Sequence, residues 1–71
     1  MTTYELYRDD DRLGEIEVDD QGSVVRSESV RSPDADALLT HLCGEVDPAE
    51  RLGWLQRYEK RRVGLHTRRK T

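Results

Sequence analysis

Ser32-Pro33-Asp34-Ala35-Asp36-Ala37-Leu38-Leu39-Thr40-His41-Leu42-Cys43-Gly44 is the stretch in which the chain changes its period. A hydroxyl that can cap, a proline at the first helical position and acids in the first turn open a helix. At 100° per residue, Ala35, Leu38, Leu39, Leu42 and Cys43 fall within an arc of about 140°, with Asp36 and Thr40 outside it. Gly44 suits the residue just past a helix end.

Upstream of this point the apolar residues recur every second position instead. Thr3 to Arg8 places Tyr4 and Leu6 on one face and Glu5 and Tyr7 on the other, which is a strand pattern. Asp9-Asp10-Asp11 supplies turn formers. Leu13 to Val18 resumes the alternation with Ile16 and Val18 on one face and Glu15 and Glu17 opposite. The pair reads as a hairpin with one wet, acidic face. Asp19-Asp20-Gln21-Gly22 is a second turn into a third strand over Ser23 to Val30. The register of that strand conflicts with itself. Odd positions inward give Val25, Ser27 and Ser29; even positions inward give Val24 and Val30 but bury Arg26 and Glu28. A β-bulge or an edge position resolves such a conflict.

Downstream, Asp47-Pro48-Ala49-Glu50 repeats the helix-start signal, with Asp47 as cap, Pro48 at N1 and Glu50 able to reach back. Leu52, Leu55 and Tyr58 recur every three residues with Trp54 alongside. Arg51 and Arg62 intrude on the apolar arc, and Gly53 costs about 1 kcal/mol relative to Ala in a helix interior. After Val63-Gly64 the segment Leu65 to Thr71 has neither periodicity nor bulk, and is expected to be a frayed, flexible basic tail. The fold expected is α+β: a three-stranded antiparallel β-meander followed by two α-helices packed on one face, in the order βββαα. The domain spans residues 1–64 and the tail 65–71.

The chain has 71 residues, 34% hydrophobic and 38% charged. A domain this small buries only roughly 60% of its unfolded surface and is marginally stable unless stapled. Cys43 is the single cysteine, so no internal disulfide is available, and a reducing, cytoplasmic setting is the expectation. The core shortage points to a partner, with homodimerisation as one answer. No apolar run is long enough for a membrane span.

Charge is split along the chain. Residues 1–50 hold fourteen Asp and Glu against four Arg, a balance of −10, and residues 51–71 hold eight Arg and Lys against Glu59, a balance of +7; the two give the net −3. Opposed charge fields of this kind are usually built to touch something.

A metal would need His41, Cys43 and His66 to converge, yet His41 and Cys43 stand about 200° apart on a helix, and Cys43 reads better as a core thiol. A cysteine nucleophile wants an exposed, electropositive thiol. Carboxylate acid–base work wants a cleft, and these carboxylates sit in turns. No phosphate loop is present. The chain is therefore expected to be a non-enzyme without cofactor.

Two surfaces remain. Asp9, Asp10, Asp11, Glu15, Glu17, Asp19 and Asp20 form an acidic hairpin that could imitate a phosphate backbone and fill the basic groove of a protein partner. This is the preferred expectation: a regulator or inhibitor of a larger, nucleic-acid-processing machine, of the size and charge of small phage or mobile-element inhibitors. The alternative is a nucleic-acid binder acting through Arg57, Lys60, Arg61, Arg62, Arg68, Arg69 and Lys70. Trp54 and Tyr58 could stack on unpaired bases, although such aromatics more often belong to a core. A homo-oligomer joined acidic face to basic tail is a third possibility.

Overall fold

A computed structural model describes residues 1–70. The elements are β1 (Thr2–Arg8), β2 (Asp11–Val18), β3 (Val24–Ser29), α1 (Pro33–Gly44), α2 (Pro48–Tyr58) and β4 (Leu65–Arg69). The strands form one antiparallel sheet in the order β3-β2-β1-β4, and both helices lie on one of its faces. The fold is α+β in the expected order, with one strand more than expected.

The alternation read from β1 and β2 holds at Tyr4, Leu6, Ile16 and Val18. These side chains are essentially sealed and meet Ala35, Leu39 and Leu42 of α1 and Leu55 of α2. Between Leu6 and Tyr7 the pairing slips, so that Leu6 faces Gly14 and Tyr7 faces Arg12. Leu13, the extra residue, turns into the core while Arg12 turns to the other face. Gly14 is required here by proximity, because a Cβ would lie 2.2 Å from the Glu28 carbonyl oxygen and 2.7 Å from Leu39 Cδ1.

A second slip resolves the register of β3. Glu17 faces Arg26 and Val18 faces Val24, leaving Val25 as the extra residue, exposed to solvent. Val24 and Ser27 therefore share the core-side face while Arg26 and Glu28 point away from it. Neither strict alternation was right, because the bulge joins half of each.

The caps on both helices follow the sequence signals. Ser32 accepts from the Ala35 amide at 3.1 Å, and Asp47 accepts from the Glu50 amide at 2.8 Å. The end of α1 differs from the expectation that Gly44 stands just past it. The helix runs through Gly44, and its terminal carbonyls are taken by Arg51, which is only 5% exposed. Its guanidinium donates to the carbonyls of Leu42, Cys43 (3.1 Å) and Val46 (3.0 Å), and to that of Gly22 in the β2–β3 turn (2.6 Å). The arginine that intrudes on the apolar arc of α2 thus ties together three separate parts of the chain. It meets the carbonyls a helix C-terminus leaves unpaired.

The flexible tail expected over residues 65–71 is corrected: Leu65–Arg69 is β4, paired with β1 from Arg8↔Leu65 to Tyr4↔Arg69; Thr71 lies outside the described residues. What holds β4 is polar, which is why bulk and periodicity missed it. Thr67 is 1% exposed and donates from Oγ1 to the Leu55 carbonyl at 2.8 Å. His66 is buried against Tyr7, with ring centroids 5.5 Å apart. The strand starts from a clasp in which the Asp9 amide donates to the Gly64 carbonyl (2.9 Å) and the Gly64 amide to the Asp9 carboxylate (2.8 Å). Both residues have left-handed φ, 55° and 69°, a conformation Gly and Asp tolerate best.

Candidate functional site

The helices leave the second face of the sheet uncovered, and that face carries the expected acidic row. The row is neutralised where it stands. Glu15 at its centre is 4% exposed, and its carboxylate accepts from Arg26, from Arg12 at 2.7 Å and from Lys70 at 3.3 Å. The Arg26 hydrogen bond, with the Lys70 contact behind it, pulls the Glu15 carboxyl down to about 2 against the opposing cost of burial. Arg12 also donates to Glu5 at 3.1 Å, and Arg26 lies 3.8 Å from Glu17 and 3.9 Å from Glu28. Glu5, Glu15, Glu17 and Glu28 are thus matched by Arg12, Arg26 and Lys70 on the same face.

The other members of the acidic set do not gather. Asp9 is used in the clasp with Gly64. Asp19 accepts from the amides of Gln21 (2.9 Å) and Ser23 (3.0 Å), and these backbone donors, Ser23 first, hold its carboxyl below the ordinary value. Asp10, Asp11 and Asp20 are exposed. Asp11 is the first residue of β2 and Asp20 lies past its other end, and an eight-residue strand is about 25 Å long. The seven residues make no continuous acidic surface.

The basic set does gather. Arg57 lies in the last turn of α2, Lys60, Arg61 and Arg62 follow the helix end, and Arg68 and Arg69 stand on β4. Arg69 is engaged by Glu59 at 3.2 Å and by the Tyr4 ring, and Lys70 by Glu15. Arg57, Lys60, Arg61, Arg62 and Arg68 are exposed and have no carboxylate within ion-pair distance among the described residues. Arg61, Arg62 and Arg68 line one shallow depression with His66; Arg57, Lys60 and Arg69 line a second, beside Gly53.

Aromatic rings accompany these cations. Trp54 and Tyr58, one helical turn apart on α2, stack with centroids 4.0 Å apart and planes 11° from parallel, and the Arg61 guanidinium lies 4.1 Å from the Tyr58 centroid. Arg68 lies 5.4 Å from the Tyr7 centroid. Cations held against aromatic faces are attracted by the ring quadrupole and so oriented before any ligand arrives. Trp54 flanks the core but remains half-exposed.

The remaining reactive groups lie apart. His41 is exposed and sits 2.9 Å from Glu45, Cys43 is half-buried beside the core, and His66 Nδ1 lies 2.9 Å from the Gly64 carbonyl. Among the described residues no group of three His, Cys, Asp or Glu side chains is placed to hold a metal, and no helix is long and apolar enough to cross a membrane.

Comparison with protein-family models, with curated proteins and with solved structures finds no match to this chain.

Proposed function

We propose that the protein is a non-enzymatic binding module whose contact surface is the basic end of the molecule, with nucleic acid as its ligand class. The observation that carries this reading is the asymmetry of charge use. The acids of the open sheet face are consumed in pairs within the fold, whereas Arg57, Lys60, Arg61, Arg62 and Arg68 remain exposed and unpaired among the described residues. Closely spaced arginines and lysines neutralise phosphates and release counterions, which is sufficient for sequence-independent affinity. Arginine, the commoner of the two here, adds bidentate contact with phosphate oxygens.

A second reading keeps the partner a protein, bound through acids. It is supported by the exposure of Asp10, Asp11 and Asp20, but their separation along β2 and the neutralisation of Glu15 leave it the weaker of the two.

Charge removal at each surface discriminates the readings. Arg57→Ala with Arg62→Ala is expected to weaken binding to a fluorescein-labelled DNA oligonucleotide at least tenfold, and Asp10→Asn with Asp20→Asn to leave it unchanged or tighten it. A protein partner lost on the Asp substitutions and kept on the Arg substitutions would overturn the proposal.

A further inference from the structure

α2 carries a glycine that the fold does not use. Gly53 lies in the helix interior, and a Cβ built on it would meet no atom within 4 Å. By contrast, Gly14 and Gly22 each lie against a carbonyl oxygen that a Cβ would strike, at 2.2 and 2.0 Å. A helix interior pays for glycine in backbone entropy, and at Gly53 no contact within the chain offsets that cost.

What Gly53 does is open the surface. Two grooves run along α2, of about 460 and 540 Å³, and they meet at Gly53 and Arg57. These sizes fall in the range of small-ligand sites. The first groove is bordered by Val46, Ala49 and the half-exposed Trp54, with Glu50 at its rim. The second is bordered by Lys60 and Arg69, with Glu59 already engaged by Arg69. The continuous depression is thus apolar and aromatic at one end and cationic at the other, with the residue that lacks a side chain between them.

We propose that this depression is a seat for one unpaired nucleotide of a single strand. The base lies against Trp54 over Gly53, and the flanking phosphates lie on Arg57 and Lys60. The inference rests on the basic-end reading above and narrows its ligand to single-stranded nucleic acid. Charge fixes the direction: Glu50 repels phosphate from the Trp54 end, and the cations draw it to the other. In a duplex the bases are already stacked on their neighbours, so only a strand with unpaired bases can fill both ends. Base–aromatic stacking is tolerant of sequence, so no base identity is implied.

Trp54 is the only tryptophan, so its emission reports the seat directly. The experiment titrates the full chain with a 20-nucleotide oligothymidylate and with an abasic strand of equal length and equal phosphate count. Gly53→Gln serves as a variant that fills the depression without breaking the helix. The expected result is saturable quenching of Trp54 by oligothymidylate alone. Its affinity should be about tenfold or more above the abasic strand's, and Gly53→Gln should abolish that preference without lowering the thermal midpoint. Equal affinity for both strands with unchanged emission, or a preference that survives Gly53→Gln, would overturn the seat and leave the basic-end reading standing. Failure of both strands to bind would overturn the seat and the basic-end reading together.

Discussion

Arg51 on α2 donates to the Gly22 carbonyl at 2.6 Å, across 29 residues of sequence. With its bonds to Leu42, Cys43 and Val46, this joins the end of α1, the β2–β3 turn and α2 without a disulfide or a metal. Gly22 accommodates the approach: its φ is 90°, and a Cβ there would lie 2.0 Å from the Pro48 carbonyl oxygen.

Arg51→Met retains much of the buried stem but leaves its carbonyl partners short of a donor. It is expected to cost at least about 2 kcal/mol, read as a lower urea midpoint at unchanged slope. Arg51→Lys is expected to recover little, because one ammonium cannot span carbonyls on both sides of α2 as the guanidinium fork does.

The Glu15 cage gives a defined acid response. Its folded-state carboxyl is depressed to about 2, against an unfolded value of about 4.3. The stabilisation is therefore fully present above the unfolded value and is lost as pH falls through the folded one. Thermal midpoints measured between pH 7 and pH 2 should drop chiefly below about pH 4.5. Glu15→Gln should lower the midpoint at pH 7 and flatten that drop.

β4 is structural, so deletion of residues 65–71 removes more than charge. The deletion uncovers Tyr4 and Leu6 on β1 and strips the Leu55 carbonyl of its Thr67 donor. It is expected to abolish the cooperative unfolding transition in circular dichroism. Thr67→Val keeps the shape but loses the hydroxyl, and should cost about 1–2 kcal/mol.

The Asp9–Gly64 clasp should behave as a stability element. Asp9→Ala loses one hydrogen bond and places a Cβ-bearing residue without a polar anchor at φ 55°. A cost of about 1–2 kcal/mol is expected, with Asp9→Asn recovering most of it in the same denaturation measurement.

Where apolar side chains set the structure, the sequence was readable. Tyr4/Leu6 and Ile16/Val18 declare their faces by alternation, and Ser32-Pro33 and Asp47-Pro48 declare their helices by capping chemistry. Where polar groups set it, the sequence was silent, because Thr67 and His66 in β4 and Arg51 in α2 are stabilised by specific acceptors that periodicity does not encode. The site was legible in part for the same reason. The basic cluster is visible as composition, but whether a charge is free depends on its neighbours. Glu15 looked like a displayed acid until Arg12, Arg26 and Lys70 arrived from three different parts of the chain. Arg69 and Lys70 looked free until Glu59 and Glu15 were found beside them. Gly53 read only as a weak point in α2, because the depression it opens exists only once Arg69 of β4 lies alongside.

Binding through the basic end is tested most directly by the salt dependence of affinity for a labelled single-stranded oligonucleotide. Fluorescence anisotropy would be read from 50 to 200 mM salt for the unmodified chain and for a variant with Arg57, Lys60 and Arg62 replaced by Ala. Each phosphate contact on a single strand contributes about −0.7 to the slope of log affinity against log salt. The unmodified chain should therefore bind at low salt with a steep negative slope, and the triple variant should bind more weakly with a slope shallower by about 2. No binding at 50 mM salt, or the same slope in both proteins, would contradict a nucleic-acid function for this end of the molecule.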